Sequence, residues 1–332
     1  MKKFFAVVVA ALTLCLFSVG FSGCDRFLVR QDGKITIAVL QYAEHGSLDN
    51  CYQGLREGLA ERGYGEDEVS YTFYNAKGND SNNTTYANTL INMMPDVAVG
   101  IATPSAYALA NAARGDVPVV FTAVSDPTAE SADFSGFENV TGSSDKLPVE
   151  GQIDLIKAFL NKGDETVRIG ILYTKTEANS VSHVAEFEAL ESEKNVKIVA
   201  LGVNAANEIP TAIENLIGQG VDCFNNLTDN NVVQNLETLL DKANAANIPV
   251  FGSEIEQVEK GCLASCSLDY VELGRQTGYM IADILGGKSA DDIDYLYLND
   301  GYSVDYNGDV LEKFSLTLPA DYSDANNVTA AD

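Results

Sequence analysis

The chain has 332 residues, 46% of them hydrophobic, and a formal net charge of -27. That length and apolar content suit two packed cores or one large α/β domain. A surface so acidic repels polyanions, which argues against nucleic acid as a partner.

The first residues read as a targeting segment. Lys2 and Lys3 precede the apolar run Phe4 to Val19, and Gly20, Phe21, Ser22, Gly23 and Cys24 follow. Phe21-Ser22-Gly23-Cys24 resembles a bacterial lipobox, which would put cleavage before Cys24 and a diacylglyceryl group on its sulfur; an ordinary secretory signal that happens to contain Cys is the alternative. No second apolar stretch of the ~20 residues needed to span a bilayer follows. The expected division is a signal peptide over 1–23 and a lipidated linker over 24–33.

From Lys34 onward, strand-like and helix-like segments alternate, the signature of an α/β fold. Candidate strands are Lys34 to Leu40, Val69 to Asn75, Val97 to Ala102, Val117 to Val124, Val167 to Tyr173, Val196 to Val203, Val221 to Leu227, Pro249 to Ser253 and Gly261 to Leu268. Ser47 can cap a helix that buries Leu48, Tyr52, Leu55 and Leu59 and ends at Gly63. Ser180 can cap another that buries Val181, Val184 and Phe187. A third, over Asn230 to Ala246, turns Val232, Val233, Leu236, Leu239, Leu240 and Ala243 to the sheet. Outside the leader and Cys24, the cysteines are Cys51, Cys223, Cys262 and Cys266. Cys262 and Cys266 fall on one expected strand, where four residues span ~13 Å. A disulfide needs Cα atoms within about 7 Å, so buried free thiols are expected. Only His45 and His183 could join a Cys/His metal site, too few for structural zinc.

A weak internal repeat suggests two lobes. Val97 to Phe121 runs strand, Thr103-Pro104, helix, Val117-Pro118-Val119; Val221 to Phe251 runs strand, Thr228-Asp229, helix, Ile248-Pro249-Val250. Likewise Lys34 to Leu48 parallels Arg168 to Val181. In open α/β sheets ligands bind beyond the carboxyl ends of strands, and the polar residues gather there. Helix starts near Ser47, Ser105 and Ser180 suit a carboxylate. Asp126, Glu177, Asp229 and Glu254 suit an ammonium group, and together they point to a zwitterion such as an amino acid. Asp126, directly after the apolar run Val117 to Val124, is the first candidate. Asp49 lies on the first of these strand-end loops, and Tyr42 and His45 could pack on an aromatic ligand or only cover the rim. Thr103, Ser105, Ser180 and Asn230 are equally ordinary capping residues. Glu177 and Glu254 are more often solvated charges.

Signals for catalysis are thin. The sequence lacks a Gly-x-Ser-x-Gly elbow, a phosphate-cradling Gly-rich loop after a strand and metal-ligand spacing, so no catalytic residues, cofactor or metal are assigned.

Several runs, in order, resemble the substrate-binding lipoprotein family of ABC transporters linked to tryptophan or tyrosine uptake: IAVLQYAEHGSLD (Ile37 to Asp49), IATPSAYALA (Ile101 to Ala110), PVVFTAVSDP (Pro118 to Pro127), NVTGSSDKLPVEGQIDLIK (Asn139 to Lys157), RIGILYTKTEANS (Arg168 to Ser180), LTDN (Leu227 to Asn230) and LDYVELGRQTG (Leu268 to Gly278). The resemblance implies a type I periplasmic-binding-protein fold, with two Rossmann-like lobes joined by three crossovers and closing on a ligand. The N-terminal lobe would be 34–145 plus 269–292, the C-terminal lobe 146–268 plus 293–320, and 321–332 a tail. Matched motifs put Thr103, Ser105, Ala123, Asp126, Glu177, Asn179, Ser180, Asp229 and Asn230 at the ligand; Tyr42, Ser47, Asp49 and Glu254 join them from the strand-end reading. Gly252-Ser253-Glu254, Cys262 and Cys266 depart from the family pattern. The implied function is an extracytoplasmic component of an importer that captures a small, aromatic amino acid and delivers it to a permease and ATPase, held at the outer face of the bacterial membrane through Cys24. A ligand sensor reporting to a receptor, or an enzyme using the same cleft, are the alternatives.

Overall fold

The structure, a computed structural model, describes residues 33–130, 132–298 and 302–329. The leader and Cys24 lie outside the described residues. Among the described residues no helix is long and apolar enough to cross a membrane.

Runs of Val, Ile and Ala make a parallel sheet that is covered on both faces, as parallel strands require. In the first lobe β1 (Ile35–Gln41), β2 (Val69–Asn75), β3 (Val97–Ile101), β4 (Val119–Thr122) and β5 (Val140–Ser144) form most of a six-stranded sheet of order β11-β5-β4-β3-β1-β2, closed at its edge by β11 (Leu296–Tyr297). The second lobe repeats the winding: β6 (Val167–Thr174), β7 (Val196–Val203), β8 (Cys223–Asn225) and β9 (Val250–Phe251) run in the order β7-β6-β8-β9. The repeat read from Val97 to Phe121 and Val221 to Phe251 thus corresponds to two parallel pairs, β3 with β4 and β8 with β9. β10 (Ala264–Leu268) continues from β9 through Gly252 N donating to Ala264 O at 3.0 Å, and pairs antiparallel with β12 (Tyr302–Tyr306), which in turn pairs with β13 (Asn326–Asn327).

The helices that place the site are α1 (Gly46–Glu61), α2 (Asp80–Asn92), α3 (Thr103–Ala113), α4 (Val149–Leu160), α5 (Ala178–Ala189), α6 (Ile209–Gly218), α7 (Asn230–Gln234), α8 (Leu236–Ala245), α9 (Ile255–Glu259) and α10 (Tyr270–Leu285). The N-cap Asp269 accepts from Val271 N and Glu272 N and starts α10, which returns to the first lobe and lies against α1. Their backbones touch: a Cβ on Gly54 would stand 1.9 Å from Val271 O, and one on Gly274 would stand 2.1 Å from Cys51 O. Apolar side chains such as Leu55, Leu59, Leu273 and Ile281 fill the core beneath them.

Several local expectations shift. α1 begins at Gly46 with His45 as N-cap; Ser47 is inside the helix and its hydroxyl goes to Glu256. α5 begins at Ala178, Ser180 is in its first turn, and Val181 points to solvent. The single helix expected over Asn230 to Ala246 is broken at Asn235, whose Nδ2 donates to Asn231 O at 2.8 Å, although its apolar stripe is buried as expected. β5 has no counterpart among the expected strands, because VTGSS is half polar; its hydroxyls are buried and bonded, Thr141 Oγ1 to Ile293 O at 2.8 Å and Ser144 Oγ to Ser125 O at 2.9 Å. The segment from Ile293 through Tyr297 stays with the first lobe, since β11 pairs with β5, and the return to the second lobe comes with β12. Residues 321–329, set apart above as a tail, pack there too, with Asn326 Nδ2 donating to Asp305 Oδ1 at 2.9 Å. Cys51, Cys223, Cys262 and Cys266 are free thiols, the first three buried.

Candidate functional site

Where the carboxyl ends of the two sheets face one another, a cavity is lined by both lobes. The first lobe supplies His45 and Leu48 after β1, Ala102 and Thr103 after β3, Ala123 and Ser125 after β4, and Asp145 after β5. From the second come Asn179 after β6, Thr228 and Asn230 after β8, and Glu254 after β9. The cavity is tight, with ≈ 10 Å³ open to a water-sized sphere. That is room for about one water, so anything larger enters by parting the lobes.

Two residues at this wall have strained backbone. Ala102 and Ala123 adopt φ of 76° and 54°, a region that L side chains avoid, at a cost of about 1–3 kcal/mol each. The two turns bring small methyl groups to the cavity and aim the start of α3 at it. Its first intrahelical bond runs from Ala106 N to Ala102 O at 3.0 Å, so the preceding N–H groups of the first turn and the positive end of the helix face the cavity mouth.

Buried polar atoms normally find partners. Here the cavity lining carries five that have none: His45 Nδ1, Thr103 Oγ1, Asp145 Oδ1, Asn179 Oδ1 and Thr228 Oγ1. A wider groove between α2 and α3 is lined by residues such as Asn88, Tyr107 and Asn111 and contains no such atom.

The cavity is acidic. Asp145 is 3% exposed; its Oδ2 accepts from the Tyr270 hydroxyl at 3.0 Å. Burial pushes its carboxyl above the usual range, while the Ser125 and Tyr270 hydroxyls pull the other way. Glu254, 2% exposed, is also pushed up by burial, and Gln257 Nε2 donates to its Oε2 at 2.8 Å. His45 is held neutral, its imidazole lowered to about 4 by burial, and its Nε2 meets Asn230 Oδ1 across the cleft at 3.4 Å. Lys and Arg are absent from the lining.

Of the residues nominated from sequence, Thr103, Ala123, Asn179, Asn230 and Glu254 line the cavity. The others stand behind it or beside it. Asp229 is filled by four donors: Thr174 N at 2.6 Å, Thr174 Oγ1 at 2.9 Å, Ser180 Oγ at 2.7 Å and Val232 N at 3.0 Å. It caps α7 and ties it to β6 and α5. Glu177 accepts from Asn230 N at 2.9 Å, Asn230 Nδ2 at 2.7 Å and Asn231 N at 3.2 Å, which orients Asn230 at the wall. Ser105 Oγ donates to Asn83 Oδ1 at 2.7 Å, Tyr42 OH to Asp80 Oδ1 at 2.8 Å, and Asp49 Oδ1 accepts from Gln41 Nε2 at 2.8 Å. Asp126 folds back on its own turn, accepting from Thr128 N at 3.0 Å and Thr128 Oγ1 at 2.9 Å, and reaches Ser182 Oγ of the second lobe at 3.1 Å. Burial pushes its carboxyl up, but these bonds prevail and hold it below the usual range. The acid after β4 is therefore a turn and lobe-contact residue, and the acid at the cavity is Asp145. Sequence reasoning missed it together with β5, the polar strand that delivers it.

Residues 36–324 match the family of ABC transporter substrate binding proteins. A tyrosine-binding protein from Clostridioides difficile (strain R20291) is 31% identical over 304 residues, covering 88% of this chain and 86% of that one. Among solved structures, an ABC domain from Streptococcus pneumonia in complex with L-Trp superposes with a TM-score of 0.83 at 32% identity, covering 88% of this chain and 98% of the other. A ligand-free, open substrate-binding protein with adhesive properties from Clostridium difficile gives 0.66 at 30% identity, covering 90% and 100%.

Proposed function

The chain belongs to the ABC transporter substrate-binding protein family and has its type I periplasmic-binding-protein fold; from that premise we propose that it captures an amino acid with an aromatic side chain between its lobes and delivers it to an importer permease and its ATPase. Five buried, unpartnered polar atoms around one interlobe cavity carry this reading. Such atoms are costly without partners, about 1–3 kcal/mol each, and a ligand that satisfies them recovers that cost.

Asp145 and Glu254 take the ammonium group, with no cation of the protein in competition at the lining. The first turn of α3 and the Thr103 hydroxyl take the carboxylate. Ala102, Ala123 and Leu48 are the apolar wall that the ring meets once the lobes have parted to admit it, while Asn179 and Thr228 bond its polar edge. Tyrosine and tryptophan are the ligands that the names of the relatives support.

At nearly equal identity, the chain superposes better on the complex with L-Trp than on the ligand-free open structure, 0.83 against 0.66. The lobes are therefore read as closed, and capture as a shift from an open to a closed population, driven by contacts that need both lobes at once. An anchor to the outer face of the membrane through lipid on Cys24 keeps the receptor beside its permease. Mass spectrometry of small molecules released from denatured, purified protein tests the assignment. Recovery of an intact aromatic amino acid is the expected result; a sugar, or a chemically altered product, would overturn it.

A further inference from the structure

Beside the cavity, and outside its lining, the lobes meet through a further contact. Glu256, on α9 of the second lobe, accepts from Ser47 Oγ at 3.0 Å and from Asn50 Nδ2 at 2.6 Å, both on the opening turns of α1 in the first lobe. Each carboxyl oxygen serves one donor. α1 has no side-chain cap of its own, since His45 at its N-cap makes no capping bond. Gly46 leaves the space the glutamate needs, because a Cβ there would stand 3.0 Å from Glu256 Cγ. The result is an acid, on a five-residue helix, that is only 8% exposed.

We propose that Glu256 is a latch: a positioning residue that docks the second lobe on the uncapped start of α1 and sets how far the ligand-free protein closes. Both of its bonds span the cleft, so both are exchanged for water when the lobes part. Their net effect therefore falls on the open-to-closed equilibrium more than on the fold of either lobe. The carboxyl stands at the positive end of a 16-residue helix, which favours its charged form against the burial and the neighbouring Glu254 that push it up. Ligand affinity follows, because a binding-competent state that is less populated lowers the apparent affinity in proportion. The latch rests on the cleft being a closing ligand site, and it names a residue that need not touch the ligand.

Small-angle scattering of the ligand-free protein and calorimetric titration with L-tyrosine and L-tryptophan test it together. Glu256→Ala is expected to enlarge the radius of gyration and to weaken binding about tenfold, at unchanged thermal stability. Glu256→Gln, which keeps one acceptor oxygen, should fall between it and the wild type. From the opposite lobe, Ser47→Ala and Asn50→Ala should each weaken binding about threefold and add nothing to Glu256→Ala, as partners in one contact do. The half-exposed Asn50 keeps the test available if a change at Glu256 impairs folding. Unchanged scattering and affinity in Glu256→Ala, or full additivity across the contact, would overturn the latch. If neither amino acid binds the wild type, the ligand assignment fails while the scattering comparison still decides the latch.

Discussion

On the proposed function, Asp145 is the residue on which recognition turns. It is the cavity acid with an unpartnered oxygen, and its other oxygen is fixed by Tyr270. Asp145→Asn keeps the shape and the tyrosine bond and removes the charge, so binding of an aromatic amino acid should weaken by about 1.5–3 kcal/mol, tenfold or more, by calorimetry. Asp229→Asn should behave differently. With four donors on its carboxylate it has no free acceptor for a ligand, and the loss should appear as a lower midpoint of denaturant unfolding, by about 1–3 kcal/mol. Glu177 supplies a pH signature. Burial first, and then the charge of Asp229, raise its carboxyl in the folded protein. A raised folded value means that the stabilising contribution is complete below the unfolded value and is lost as pH rises through the folded one. Thermal stability should thus decline between about pH 5 and about pH 8, and Glu177→Gln should flatten that decline. Acidic residues next to apolar runs could be nominated from sequence, but which of them faces a ligand depends on what else bonds to each oxygen. Asp126 and Asp145 follow neighbouring strands, and only contacts made across 2 to 125 positions of sequence separate their roles.

At the scale of elements, the crossing of α1 and α10 is the least forgiving contact. Gly54 and Gly274 allow backbone to meet backbone, and a methyl group at either would stand within about bonding distance of a carbonyl oxygen, 1.9 Å or 2.1 Å. Gly54→Ala should therefore destabilise by about 1–3 kcal/mol or more, through a forced separation of the helices, measured by denaturant unfolding. Most strands are legible: β1 and β3, buried along most of their length, are written in Val, Ile and Ala, and the edge strands β2 and β7 have the expected bounds. β5 escaped because its buried hydroxyls are bonded within the fold, which lets a polar sequence occupy a central position. β11 has only two residues and was beyond any pattern. Ser47 and Ser180 looked like caps, and both spend their hydroxyls on tertiary partners, Glu256 and Asp229.

From Lys34 onward the described residues form two copies of one winding scheme facing each other across their strand ends, and the repeat of strand, polar turn and helix makes that arrangement readable from sequence. How the lobes meet was not readable, since His45 with Asn230, Glu256 with Ser47 and Asp126 with Ser182 join residues 56 to 209 positions apart. On the proposed function, the working difference at this scale is between an open pair of lobes and a closed pair with an amino acid sealed inside. Calorimetric titration of ligand-stripped protein with L-tyrosine, with tyramine and with 3-(4-hydroxyphenyl)propionate tests it most directly, since the second lacks the carboxylate and the third the ammonium group. L-tyrosine is expected to bind and both analogues to bind at least tenfold more weakly, the propionate because Asp145 and Glu254 lose their partner. Binding of either analogue as tight as that of L-tyrosine, or no binding of L-tyrosine or L-tryptophan at all, would contradict it.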